Sequence, residues 1–522
     1  MGVFVRSFIS NSKEIIFIEA EIFTLPLKKR NMTKKTLLIT LSLFFLTVIL
    51  RLPNLNRPLS KHHEFNTAFF LIPMEIWYET SGSNYNFSPV LNYQNKGDKG
   101  INNFTGEDTE RNGDFYYLSF GAGSYVIPYF FLSFFGGPSI LGLQIFSLFV
   151  HLLCALVLIK IAHWFLEENK LNTSYSVISG VVYLFLPATL WFHGNGYTHH
   201  SLVVLFFLLS VFYALKLSKN ESDKRNVVFL FIFLFLTIYT EWIGCFLAFF
   251  ILIFALLKRN ENYRLVIFIC ILSVLFGVGL ITFQFSQAVG FDKFIFYLRE
   301  RFFVRSNLNV NSISYVSFIL KWGFWYLVGY GSLIFLILFL VLKMTFTKSW
   351  VKIDKRIWLL GLPILLHHLI FSDFLFSHDY SVLIDSTFFS LLLVLLFSNS
   401  QFSKDNFKKN VVLFLLFLAS SVVTYYFINR PGMYSQRGEK YSSFKEIGEF
   451  INKNTQKEEV VFIENLPDLP TPQVVYYAKR NFYSVKNRKE MEKIIKNKKV
   501  KNAFFIKIID YKVKYSKHIG CF

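Results

Sequence analysis

Apolar and polar positions along this chain fall into long blocks, not short alternations. Predominantly apolar runs occupy about residues 36–50, 116–136, 139–160, 175–192, 199–216, 227–240, 242–257, 265–285, 322–342, 357–372, 380–398 and 410–427. About 17 apolar residues suffice for a helix across a thin bilayer, so the pattern predicts an α-helical polytopic membrane protein with about 11–12 transmembrane helices. From about residue 428 the pattern changes. Phe444, Ile447, Phe450 and Ile451 give helical spacing to Ser442–Thr455. Val460–Ile463 and Ala503–Ile508 read as buried strands, with helices at Pro472–Lys479 and Lys489–Ile495 between them. The expected organisation is a cytoplasmic N-terminal segment 1–35, a multi-helix domain 36–427 with a long outer loop 51–114, and a small extracytoplasmic α/β domain 428–522. Met32-Thr-Lys-Lys reads as a natural start, which makes 1–31 an upstream extension.

Composition supports this class. Hydrophobic residues are 53% of the 522 and charged residues 17%, against about 25% charged in soluble chains. Disordered, coiled-coil, disulfide-stapled and soluble nucleotide-binding classes are excluded as the main description. The net charge of +21 sits largely in short basic segments, Lys216–Arg225, Lys258–Arg264, Lys343–Arg356 and Lys404–Lys409. The positive-inside rule assigns these to the cytoplasm. No nucleic-acid motif accompanies the charge, so no nucleic-acid partner is expected. With 51–114 outside and Lys160–Lys170 inside, one of the first two runs after the outer loop cannot span. The run 116–136, broken by Gly121, Gly123 and Pro128, is expected to be interfacial or re-entrant, leaving eleven spanning helices. No C-x-x-C spacing or disulfide framework is present.

That topology gathers the polar residues least expected in such a chain on one face. Glu64 follows His62-His63 beyond the first helix, where partial desolvation would make a carboxylate a stronger base; the bland alternative is a solvated loop glutamate. His193-Gly-Asn195-Gly-Tyr197-Thr-His199-His200 joins two helices and reads as the polar lining of a substrate cavity, with a divalent metal as the alternative. Glu241, in Thr240-Glu241-Trp242, sits where two short runs meet, and a carboxylate there is costly unless it faces a polar cavity. Arg299, Arg301 and Arg305 precede the 322–342 run in a loop, and arginines suit phosphate oxygens; interface anchoring is the competing role. His378, Asp379 and Tyr380 close the set before the next run.

The order of these features resembles the GT-C membrane glycosyltransferases, nearest the branch of the protein O-mannosyltransferases and lipid A aminoarabinose transferases. The resemblance is carried by Arg51 through Glu64 as the acidic first outer loop and by Tyr116-Tyr117 through Phe135-Gly136. Thr240-Glu241-Trp242 is similar to a Thr-Lys-Gly-like turn, His378-Asp379-Tyr380-Ser381 to a late His-acidic-Tyr-Tyr element, and Tyr476-Tyr477-Ala-Lys-Arg480 to the terminal domain. Two departures stand out. The usual Asp-Glu pair is His63-Glu64, and the expected Lys is Glu241. The resemblance implies transfer of a sugar from a polyprenyl-phosphate donor to a cell-envelope acceptor on the outer side of the bacterial cytoplasmic membrane. It places a catalytic carboxylate at Glu64, the expected base; His63 is the rival, since histidine ordinarily titrates near neutrality, and Asn195, His199, His200, Glu241, Arg299, Arg301, Arg305, His378, Asp379 and Tyr380 are the substrate-binding candidates. A lipid-linked polysaccharide polymerase or ligase, and a transporter or flippase, are the alternatives; no internal repeat supports the last.

Overall fold

The computed structural model describes residues 34–60, 63–104, 109–219, 223–259, 262–306, 315–346, 354–399, 407–428, 443–464, 472–509 and 512–520. The expectations for residues 1–31, for His62 and for the first half of Lys404–Lys409 lie outside them. The chain divides into two compact units, 1–42 and 43–522, and the second holds the α/β segment together with nearly all of the helices.

Helix α1 is Lys34–Arg51, and the long loop after it holds α2 (Glu64–Thr80) and a two-stranded ribbon, β1 (Glu110–Arg111) and β2 (Asp114–Phe115). Then come α3 (Gly123–Ser133), α4 (Ile140–Glu168), α5 (Ser176–Phe185), α6 (Pro187–Phe192) and α7 (His199–Leu217). A hairpin of α8 (Lys224–Thr240) and α9 (Ile243–Lys258) leads to α10 (Tyr263–Val289) and α11 (Phe291–Arg305). The bundle closes with α12 (Tyr315–Tyr330), α13 (Ser332–Phe346), α14 (Trp358–Ile370), α15 (Ser372–Ser377), α16 (Asp385–Asn399) and α17 (Phe407–Ile428). Polar side chains mark several starts: Ser139 Oγ accepts from Gly142 N at 3.1 Å to open α4, and Asp223 accepts from Arg225 N at 3.0 Å to open α8.

The apolar runs are helical, but their lengths differ from expectation. Among the described residues five helices are long and apolar enough to cross a membrane alone, and a sixth span arises if α12 and α13 count as one. The eleven expected spans therefore include many shorter apolar helices. The run 175–192 is cut at Leu186–Pro187, because Pro187 cannot continue the hydrogen bonding of α5. The run 322–342 is not one helix: α12 and α13 meet at 100° around Gly331, whose φ of +53° is the left-handed region that suits glycine. Within 116–136 only α3 is helical, and its eleven residues rise about 16 Å, roughly half a bilayer core. The Arg299–Arg305 segment, expected as loop, is the end of α11.

The C-terminal part is α18 (Ser443–Asn454), β3 (Val460–Glu464), α19 (Pro472–Ala478), β4 (Phe482–Val485), α20 (Arg488–Lys498), β5 (Asn502–Ile509) and β6 (Lys512–Gly520). The sheet order is β4-β3-β5-β6, with β3 parallel to both neighbours and β6 antiparallel to β5. Strands β4 and β6 escape the sequence pattern, β4 because it is four residues long and β6 because its lysines keep an exposed edge polar.

This segment is stitched to the long loop after α1. Arg480 Nε donates to Asp98 Oδ2 at 2.9 Å, both side chains buried, and also bonds the carbonyls of Gln456 and Glu459. Asn481 exchanges hydrogen bonds with Tyr93, and Asn103 with Phe482. Burial outweighs Arg480 and pushes the Asp98 carboxyl up to about 6. Replacing Arg480 by Met strands that carboxylate and should cost about 3–5 kcal/mol at neutral pH. A raised carboxyl favours the folded form most below its ordinary range and loses that contribution as pH rises through about 6. The Arg480→Met defect, measured by thermal unfolding and by proteolysis of 456–520, should therefore shrink toward pH 5, and Asp98→Asn in the same chain should restore stability at pH 7.

Candidate active site at the helix ends

The loop after α1 folds back on itself through one carboxylate. Glu64, fully buried at the start of α2, accepts from Ser60 N at 2.8 Å and from Arg57 Nη1 at 3.0 Å, with Arg57 Nη2 on its other oxygen. The pairing is bidentate and charge-assisted, so both Glu64 oxygens are engaged. Its backbone neighbour His63 is held at φ +54°, a left-handed conformation that costs a non-glycine residue about 1–3 kcal/mol. The twist sends the imidazole away from Glu64 to Asp379, with Nε2 2.6 Å from Oδ1.

Asp379 is delivered by the short 3-10 helix Asp379–Leu383 that precedes α16. The adjoining Tyr380 is the hub of the site. Its buried ring meets His63 at 5.2 Å, His378 at 5.1 Å, His200 at 5.7 Å and His199 at 5.8 Å between centroids. His200 Nδ1 donates to the Tyr380 carbonyl at 3.2 Å. His378 Nδ1 donates to the Phe374 carbonyl at 3.0 Å, and burial, with the neighbouring His63 next, pushes this imidazole down to about 4. His378 is thus neutral at physiological pH.

His199 and His200 open α7, where Ser201 Oγ takes the Thr198 N–H at 3.1 Å and passes its own proton to the Phe192 carbonyl at 2.8 Å. Glu241 lies at the turn between α8 and α9, its Oε1 3.8 Å from His367 Nε2 of α14. Acceptor atoms of His199, His200 and Glu241 lie within 4.8 Å of one another, all three buried. The turn is pinned by Trp242 Nε1 on the Ser119 carbonyl at 3.0 Å and by Gly121, which presses against the Tyr239 carbonyl.

The three arginines separate by helical phase. Arg301 and Arg305 share a face with Tyr297: Arg301 Nε donates to Tyr297 Oη at 2.9 Å, and the Arg305 guanidinium lies 5.0 Å from the centre of the Phe374 ring beside the histidines. Arg299 is exposed against Phe303 and is not brought to the cluster. Asn195 is also apart. It is wholly buried, donates to the Asn54 carbonyl at 3.0 Å and accepts from Thr67 through its own carbonyl, so it joins the turn after α1 to α2. Sequence reading passed over Arg57, His367, and the pair His368 and Asp385, 2.8 Å apart. Adjacent histidines inside the apolar run 357–372 were the available signal, since ionisable groups in membrane helices are rarely incidental.

At the other end of the helices the basic segments meet. Arg356 binds Glu168 and Asp354, and Lys219 binds Glu168. Polar residues expected outside and basic residues expected inside thus occupy opposite ends of α7 and α8.

No family model matches the chain, and no curated protein matches it in sequence. Solved structures do match in fold. ArnT from Cupriavidus metallidurans, bound to undecaprenyl phosphate, is similar at a TM-score of 0.58 and 11% identity over 91% of this chain and 92% of that one. The oligosaccharyltransferase of Archaeoglobus fulgidus, tethered to an acceptor peptide, gives 0.55 and 11% identity over 90% of this chain and 69% of that one. The fold is therefore that of the GT-C membrane glycosyltransferases.

The contact at Gly121 is directly testable. A Cβ there would stand 1.9 Å from the Tyr239 oxygen, so Gly121→Ala must displace the turn that carries Glu241. It should lower thermal stability by about 1–3 kcal/mol, whereas Gly279→Ala on α10, with nothing within 4 Å, should leave the melting temperature unchanged or slightly raised.

Proposed function

We propose that this protein is an integral-membrane glycosyltransferase that moves a sugar, hexosyl or pentosyl, from a polyprenyl-phosphate donor to a cell-envelope acceptor. The acceptor is a glycolipid, polysaccharide or protein, and transfer takes place on the outer side of the cytoplasmic membrane. The observation that carries the reading is the His63–Asp379 pair, 2.6 Å apart at the end of the bundle where Tyr380, His378 and Arg305 converge. The undecaprenyl phosphate bound by the similar ArnT structure supports the donor class.

In this reading His63 is the general base. Its Nε2 faces the Asp379 carboxylate at 2.6 Å, which in this reading puts the lone pair that takes the acceptor hydroxyl proton on Nδ1. As that proton moves, the acceptor oxygen bonds the anomeric carbon and the bond from that carbon to the phosphate oxygen breaks. The electron pair leaves with polyprenyl phosphate, whose developing charge Arg305 and Arg301 are placed to stabilise. Asp379 holds the imidazole in the required tautomer and stabilises the imidazolium. Glu64, its oxygens engaged by Arg57 and Ser60, holds the left-handed turn that aims His63.

The test is transfer by purified protein from a panel of polyprenyl-phosphate sugars, read as release of polyprenyl phosphate. His63→Ala should lower turnover about 10²–10⁴-fold, the usual share of general base catalysis, in a protein that still folds. Glu64→Gln should lower stability and turnover together, because it removes the charge facing Arg57. If Glu64→Gln is inactive at full stability while His63→Ala turns over normally, the base is Glu64. A donor left intact by the wild type with every sugar would defeat the transferase reading.

A further inference from the structure

We infer that His199, His200 and Glu241 form a binding site for one divalent first-row transition-metal ion, beside the His63–Asp379 pair but separate from it. The hydrogen bonds decide which atoms face the centre. His200 gives its Nδ1 proton to the Tyr380 carbonyl, so its lone pair is on Nε2. A ring nitrogen fixed by a backbone carbonyl while the other is left as an acceptor is the arrangement that orients histidine ligands. The His199 ring is clamped against Phe120 at 4.0 Å between centroids and 29° between planes. Its Nε2 is buried with no hydrogen-bond partner, and so is Glu241 Oε2.

Two imidazole nitrogens and one carboxylate oxygen thus converge within 4.8 Å, each from a residue about 2% exposed. A buried carboxylate is costly unless it is balanced, and the groups that face Glu241 are His367, whose Nε2 is 3.8 Å away, His200 and the Arg305 guanidinium. A divalent ion would balance Glu241 and use both lone pairs at once. Two histidines and a glutamate are a donor set of metal sites that keep an open fourth position. Imidazole with carboxylate suits zinc and its neighbours better than calcium or magnesium. The three ligands come from the start of α7 and the α8–α9 turn, so the ion would also tie these helix ends together.

Metal binding here does not depend on sugar transfer, and its test does not use activity. Detergent-purified protein is stripped with a chelator and titrated with Zn²⁺ by calorimetry, and separately with Co²⁺ by visible absorption. The wild type should take up one equivalent, show the d–d bands of low-coordinate Co²⁺, and melt at higher temperature with Zn²⁺. Glu241→Gln and His200→Asn should each weaken binding at least about 10²-fold, while His518→Ala, an exposed histidine of β6, and His63→Ala should bind as the wild type. Because Glu241→Gln removes a buried charge at constant shape, its metal-free melting temperature should match or exceed that of the wild type while the Zn²⁺-dependent rise disappears. Absence of a stoichiometric site in the wild type, or undiminished binding in Glu241→Gln and His200→Asn, would overturn the assignment.

Discussion

Burying ionisable side chains in an apolar bundle is the constraint around which this structure is arranged. Charges removed from water must find partners with good geometry, and here they find them across the ends of helices distant in sequence. Glu64 is held by Arg57, His63 by Asp379, His368 by Asp385 and Asp98 by Arg480. Each pair draws together loops that the apolar packing alone would leave unregistered. The helices supply burial; the pairs at their ends decide which loop meets which.

The His63–Glu64 dipeptide divides its labour under that constraint. Consecutive residues at the start of a helix point to different sides, and the left-handed backbone at His63 widens that divergence. Glu64 turns inward to an arginine of its own loop while His63 turns outward to a carboxylate from the far end of the chain. A base tied up by a bidentate guanidinium is a weaker candidate for proton removal than an imidazole whose orientation is fixed by a carboxylate. The same logic separates Arg305, which faces the aromatic and histidine cluster, from Arg299, which faces outward from the same helix.

Much of the architecture was legible because helical membrane segments leave a strong compositional trace. Charge asymmetry placed Glu64, His199, His200, Glu241, Arg305 and Asp379 on one side, and the structure brings them to one end of the bundle. What sequence could not supply was partners. Nothing near His63 points to Asp379, since the contact depends on packing of the 3-10 helix before α16 against the start of α2. The break at Gly331 was hidden because one glycine in an apolar run is compatible with a continuous helix until the backbone shows φ +53°. Strand β6 was hidden because its alternating lysines read as a solvated tail until pairing with β5 explains them. Arg480 was visible as part of a motif, but its role in clamping the long loop after α1 through Asp98 needed the tertiary contact.

Asp379, in the proposed mechanism, acts through His63 on proton removal rather than on donor binding or folding. The decisive measurement is steady-state release of polyprenyl phosphate by Asp379→Asn beside the wild type, with kcat and KM determined separately and thermal stability recorded. A large fall in kcat is expected, with donor KM and melting temperature nearly unchanged, because the amide cannot stabilise the imidazolium. An unchanged kcat, or a loss confined to KM, would remove Asp379 from proton transfer and His63 from the role of base.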